Sequence, residues 1–82
     1  MRFTEAEIES TISQKILALT GKRISSANEE LVESGILTSI TLAELAVEIE
    51  KVFSISFSFM EVSKEYFASV TVIKNLVCQK LS

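Results

Sequence analysis

The chain has no histidine and a single cysteine among its 82 residues. Without those side chains no familiar zinc centre or Cys–His nucleophile pair can be assembled. No converging pair of acids stands out to replace them, so neither a metal site nor acid–base or nucleophilic catalysis is expected. Cys78 cannot form an internal disulfide, which suits a reducing compartment, and it reads as a small apolar filler in the last helix. No apolar run is long enough to span a bilayer. The N-terminal residues also lack the basic-then-apolar pattern of a signal peptide. A cytoplasmic address without membrane insertion is therefore expected. Repeats, low-complexity tracts and internal boundaries are missing too, so residues 1–82 read as one monomeric domain.

Positive charge is absent from one long stretch. Residues 28–50 hold six acids (Glu29, Glu30, Glu33, Glu44, Glu48 and Glu50) and no Lys or Arg, while the remainder holds five acids and eight bases. The stretch thus carries −6 and the remainder +3, which sums to the net charge of −3. Phosphates would be repelled there, which argues against nucleic acid, and a basic partner surface would be attracted. An ordinary solvated acidic face has the same appearance, so charge alone leaves both readings open.

What is present in quantity is apolar: 48% of the residues, enough for one small core. Thr4 and Glu7 make a capping-box pattern, with Phe3 placed to staple against Ile8. Ile8, Ile12, Ile16 and Leu19 follow at helical spacing, and Gly21 offers a stop. Residues 21–38 form a long connection punctuated by Gly, Ser and Asn. Leu31, Val32, Ile36 and Leu37 are expected to pin it across the helices, and Ser26-x-x-Glu29 could cap a short turn. A second helix is expected over about 39–53, with Leu42, Leu45, Ala46, Ile49, Val52 and Phe53 as its buried stripe. Residues 54–59 alternate like a strand but have no partner segment. They are expected to form an extended connector tucking Ile55, Phe57 and Phe59 inward. A short helix around 61–67 and a last one from Ser69, using Val70, Ile73, Leu76, Val77 and Leu81, complete the chain. The expected fold is all-α, a small four-helix bundle of three longer helices and one short one, with a long loop between the first two.

Ser39 stands where the acidic connection meets the most amphipathic helix. A hydroxyl at a helix start faces unpaired backbone N–H groups and the positive end of the macrodipole, which stabilise an anion such as a phosphodiester. Thr38, Ser39 and Thr41 could each cap this helix, and Thr41-x-x-Glu44 repeats the capping-box pattern. Ser is also a favoured cap everywhere. A carrier that bears a group on Ser39 and an unmodified helical interaction module that uses Ser39 as a cap are both open. Ser34, in the loop, is the nearest alternative hydroxyl.

Two segments carry a resemblance. The segment from Leu31 through Gly35-Ile36-Leu37-Thr38-Ser39 to Ile40, running into an acidic amphipathic helix, resembles the prosthetic-group region of acyl carrier and peptidyl carrier proteins. Its Gly-Ile-Leu-x-Ser form looks especially like free-standing carriers of the D-alanyl type. Further on, Glu65-Tyr66-Phe67-Ala68-Ser69-Val70 with Ile73 is similar to the close of aminoacyl-type carriers. Chain length, helix order and the long first loop also match.

The resemblance implies an acyl-carrier-like fold and covalent 4'-phosphopantetheine, moved from coenzyme A by a phosphopantetheinyl transferase onto the serine opening the second helix, here Ser39. Cargo, acyl or aminoacyl, would ride as a thioester on the arm, and the carrier itself catalyses nothing. The family usually has Asp before that serine, whereas this chain has Thr38, so a carboxylate expected near the transferase's metal ion is missing. Ile40, Ala43 and Val47 form a second apolar stripe flanked by Glu44 and Glu48. By resemblance these five residues face partner enzymes with basic docking surfaces; the alternative is that Ile40 and Val47 belong to the core.

Overall fold

The computed structural model describes residues 2–82. Three α-helices, α1 (Glu5–Thr20), α2 (Ser39–Phe53) and α3 (Val70–Leu81), are joined by two long connections, the second containing a 3-10 turn at Phe59–Glu61. No strand occurs among the described residues.

Helix α1 begins as its sequence dictates. The Thr4 side chain accepts from the Glu7 backbone N–H at 3.1 Å and the Glu7 carboxylate accepts from the Thr4 N–H at 2.8 Å. It ends at Gly21, whose φ of 73° only glycine adopts cheaply and whose N–H reaches the Leu17 carbonyl. Ile8, Ile12 and Ile16 lie on one face and are wholly buried, and α1 packs on both α2 and α3. Phe3 packs against the core and its ring meets the Phe53 ring edge-on at 4.9 Å, joining the start of α1 to the end of α2.

The first connection is anchored as the apolar pattern implies, with Leu31 and Leu37 buried in the core and Val32 and Ile36 packed against it. Backbone hydrogen bonds add to this. The Leu31 N–H donates to the Ala68 carbonyl at 2.8 Å and the Thr71 N–H to the Ala27 carbonyl at 2.9 Å, tying this loop to the start of α3. The expected turn near 26–32 forms as turns rather than helix. Its carboxylate cap reaches one residue earlier than expected, with Glu29 accepting from the N–H and hydroxyl of Ser25.

Three expectations need correction. Val52 is 38% exposed, because at 100° per residue it sits roughly 80° off the centre of the buried α2 stripe, and the core position at this end is taken by Phe53. Phe59 is not tucked inward but 95% exposed, with Met60 beside it at 79%. The short helix expected over 61–67 is instead a 3-10 turn followed by turns. Glu61 Oε1 accepts from the Ser58 N–H at 2.8 Å and meets Lys80 Nζ at 2.9 Å. Val62, at φ −84° and ψ 76°, then leaves helical geometry. What the segment delivers to the core is Phe67, fully buried and edge-on to Phe57 at 5.5 Å. The all-helical architecture thus stands with three helices and a 3-10 turn in place of the fourth.

Candidate functional site

The start of α2 resolves the three-way ambiguity among its hydroxyls. Thr38 is the N-cap, in extended conformation at φ −90° and ψ 174°. Its Oγ1 accepts from the Thr41 N–H at 3.2 Å, and Thr41 Oγ1 accepts from the Thr38 N–H at 2.8 Å. The reciprocal partner is therefore Thr41 rather than an acid, and the first turn contains no Asp or Glu. Behind the cap, Leu37 is buried and its N–H donates to the Leu31 carbonyl at 2.8 Å, fixing the approach to the helix.

Ser39 is thereby relieved of any capping duty. It is the first residue of α2 and exposed, and its hydroxyl makes no hydrogen bond among the described residues. The N–H groups of Ser39 and Ile40 have no intrahelical acceptor, as first-turn amides never do. A neutral, accessible hydroxyl thus stands beside free amide donors at the positive end of a 15-residue helix. Ser34 differs: its hydroxyl folds back on its own turn, 3.4 Å from the Leu31 carbonyl.

A groove of about 360 Å3 opens at this point. Ser39, Leu42 and Ala43 of α2 line it together with Val32 of the first connection and Val62 and Lys64 of the second. Thr38 and Ser63 complete the lining, so apolar side chains share it with the hydroxyls of Thr38, Ser39 and Ser63 and with Lys64.

Ile40, Ala43, Glu44 and Val47 all lie on the exposed side of α2, Ile40 at 71% and Val47 at 48%. Glu48 is differently placed. It is half-buried and meets Lys15 of α1 at 3.3 Å and Lys51 at 3.8 Å, so its charge is spent within the molecule. Glu44 makes no ion pair among the described residues. Lys64, which also lines the groove, carries no signal in the sequence, because no spacing rule connects it to Ser39, 25 positions away.

Other charged groups brace the helices rather than build a site. Lys74 of α3 lies between Glu9 at 3.2 Å and Glu5 at 3.3 Å, and these bonds, Glu9 first, raise its pKa above the ordinary lysine value. The hydrogen bond from Lys80, helped by the Ser58 N–H, lowers the pKa of Glu61, and the Ser25 N–H does the same for Glu29. Burial raises the pKa of the Cys78 thiol, in keeping with a filler role. No cluster of potential metal ligands occurs among the described residues, and no helix is long and apolar enough to cross a membrane.

The family model described as the phosphopantetheine attachment site matches residues 10–77, most of the chain. The protein belongs to that family of acyl and peptidyl carrier proteins. Its members carry covalently attached 4'-phosphopantetheine and are carriers rather than enzymes. They interact with phosphopantetheinyl transferases and biosynthetic enzymes. No curated protein matches the chain. The residues at the start of α2 fit the prosthetic group in offering an exposed hydroxyl, unfilled amide donors and an adjoining groove, while Thr38 stands as the cap where the family usually has Asp.

Proposed function

We propose that this protein is a single-domain carrier that holds an acyl or aminoacyl group on a phosphopantetheine arm attached to Ser39. The observation that carries the reading is the division of labour between neighbouring hydroxyls: Thr38 caps α2 while the Ser39 side chain is exposed and uncommitted. In the attachment, Ser39 Oγ bonds to the β-phosphorus of coenzyme A and the pyrophosphate linkage breaks. Adenosine 3',5'-bisphosphate leaves, and the hydroxyl proton passes to the transferase. When bound, the arm supplies a terminal thiol on which cargo rides as a thioester. The chain's own contribution is to hold the root of the arm at a helix end that tolerates the phosphodiester charge and to present a surface that partners can read.

For that surface, Ile40, Ala43, Glu44 and Val47 are the contact face on α2. Their exposure supports the assignment over a core role for Ile40 and Val47. Glu48 sits at its edge, already paired with Lys15. The partner enzymes would be those that load and transfer the cargo, engaging through basic residues in small, transient, salt-sensitive contacts.

The rival reading, an unmodified interaction module, gave Ser39 the work of a cap, which Thr38 performs instead. The decisive experiment is intact mass spectrometry after incubation with coenzyme A and a broad-specificity transferase. Gain of one phosphopantetheine, abolished in Ser39→Ala, is expected. No gain with several transferases would overturn the carrier reading.

A further inference from the structure

We infer that Lys64 is a positioning residue for the root of the prosthetic arm, its ammonium pairing across the groove with the phosphodiester on Ser39; this rests on the carrier reading above.

The groove beside Ser39 brings into one concavity two groups that lie on different elements, Ser39 opening α2 and Lys64 on the connection after the 3-10 turn. Of the chain's six lysines, Lys15, Lys51, Lys74 and Lys80 are each engaged with a glutamate. Lys22 follows α1 and does not line this groove. Lys64 does line it and makes neither ion pair nor hydrogen bond among the described residues. The unmodified protein thus holds an exposed cation beside a neutral hydroxyl.

Modification changes that balance, because a phosphodiester brings a full negative charge to the Ser39 position. The first turn of α2 contributes no carboxylate to compete for Lys64, since Thr38 and Thr41 are the reciprocal capping pair. Val32, Leu42, Ala43 and Val62 line the groove alongside the hydroxyl residues Thr38 and Ser63, and the apolar share lowers the local dielectric below that of open solvent and strengthens an ion pair. Lys64 is nonetheless exposed, so the pair biases the arm rather than locking it. Exposed pairs of this kind shift an equilibrium by roughly two- to fivefold. The consequence is an arm whose base leans over Leu42 and Val62 between encounters and is released when a partner's surface competes for the phosphate.

The test uses protein loaded with isotope-labelled arm, prepared as wild type, Lys64→Gln and Lys64→Arg, with complete modification confirmed by intact mass. Nuclear Overhauser contacts from the arm's geminal methyls to the Val62 and Leu42 methyls, and 31P relaxation of the phosphodiester, are recorded at low and high salt. The contacts are expected to fall about two- to fivefold in Lys64→Gln and in wild type at high salt, with faster phosphodiester motion, and to persist in Lys64→Arg. Backbone amide spectra of the three proteins should superimpose away from the groove. Complete modification with contacts absent from wild type, or equal in wild type and Lys64→Gln, would overturn the role of Lys64 and leave the carrier reading standing. Failure of Ser39 to accept the arm would overturn both.

Discussion

Adjacent hydroxyls at the start of α2 should respond in opposite ways to the same truncation. Thr38→Ala removes the oxygen that accepts from the Thr41 N–H at 3.2 Å and leaves that amide exposed without a protein partner. Cap residues of this type contribute about 1 kcal/mol, within a range of roughly 0.5–2. In a domain of this size a loss of about 1 kcal/mol lowers Tm by roughly 4–8 °C. Ser39→Ala, one position later, removes a hydroxyl with no hydrogen bond to lose and puts the best helix former at the first helical position. The propensity difference is at most about 0.5 kcal/mol and favours alanine. The unmodified Ser39→Ala protein should therefore melt at or slightly above the wild-type temperature. Thermal unfolding followed by circular dichroism at 222 nm, with both variants lacking the arm, measures the contrast. A Ser39→Ala protein destabilised as much as Thr38→Ala would show that Ser39 works as a cap, and the division of labour on which the functional assignment rests would be refuted.

The remaining expectations concern charge. Lys74 has its pKa raised by Glu9 and Glu5, so its contribution to stability is fully present below the unfolded lysine value of 10.5 and is lost as pH rises through the higher folded value. Lys74→Met should flatten the alkaline fall in Tm seen in wild type between about pH 9 and 12, and identical alkaline slopes would contradict the bracing role. Glu44→Lys, on the exposed side of α2 and in no ion pair among the described residues, should slow modification by the cognate transferase several-fold at low salt with helical content unchanged. Equal rates across a salt series would remove Glu44 from the contact face. Glu48→Lys is a poorer probe of that face, since it also places like charge against Lys15.

Much of the architecture was legible because it is encoded locally. A capping box spans four residues, an amphipathic stripe repeats within two turns, and a glycine at φ 73° ends a helix over one peptide unit. Each therefore appears as a pattern of near neighbours, and the limits of the three α-helices, the Ile8–Ile12–Ile16 face and the place of Ser39 at the start of α2 could be recognised from it. The choice of Thr38 over Ser39 as cap was ambiguous, because both residue types suit the role and only the backbone angles at the junction select one.

What sequence pattern did not reach is everything that depends on distant segments meeting. Phe57, Phe59 and Phe67 are chemically alike, yet Phe67 fills the core, Phe57 packs against it and Phe59 faces solvent. The outcome depends on where the chain crosses the bundle after Glu61 is held by Lys80, 19 positions away. The helix expected over 61–67 gave way to turns for the same reason: carrying Phe67 into the interior took precedence over a weak local preference. Likewise the bonds from Leu31 to Ala68 and from Thr71 to Ala27, and the groove that brings Lys64 beside Ser39, join residues with no short-range relation. The amino-acid order by itself settled the three α-helices and put Ser39 at the start of the second, because local hydrogen bonds and side-chain periodicity act over a few residues. Only tertiary packing decided which aromatic is buried, which acid is paired and which lysine shares the groove with Ser39, because those outcomes follow from burial and charge in three dimensions.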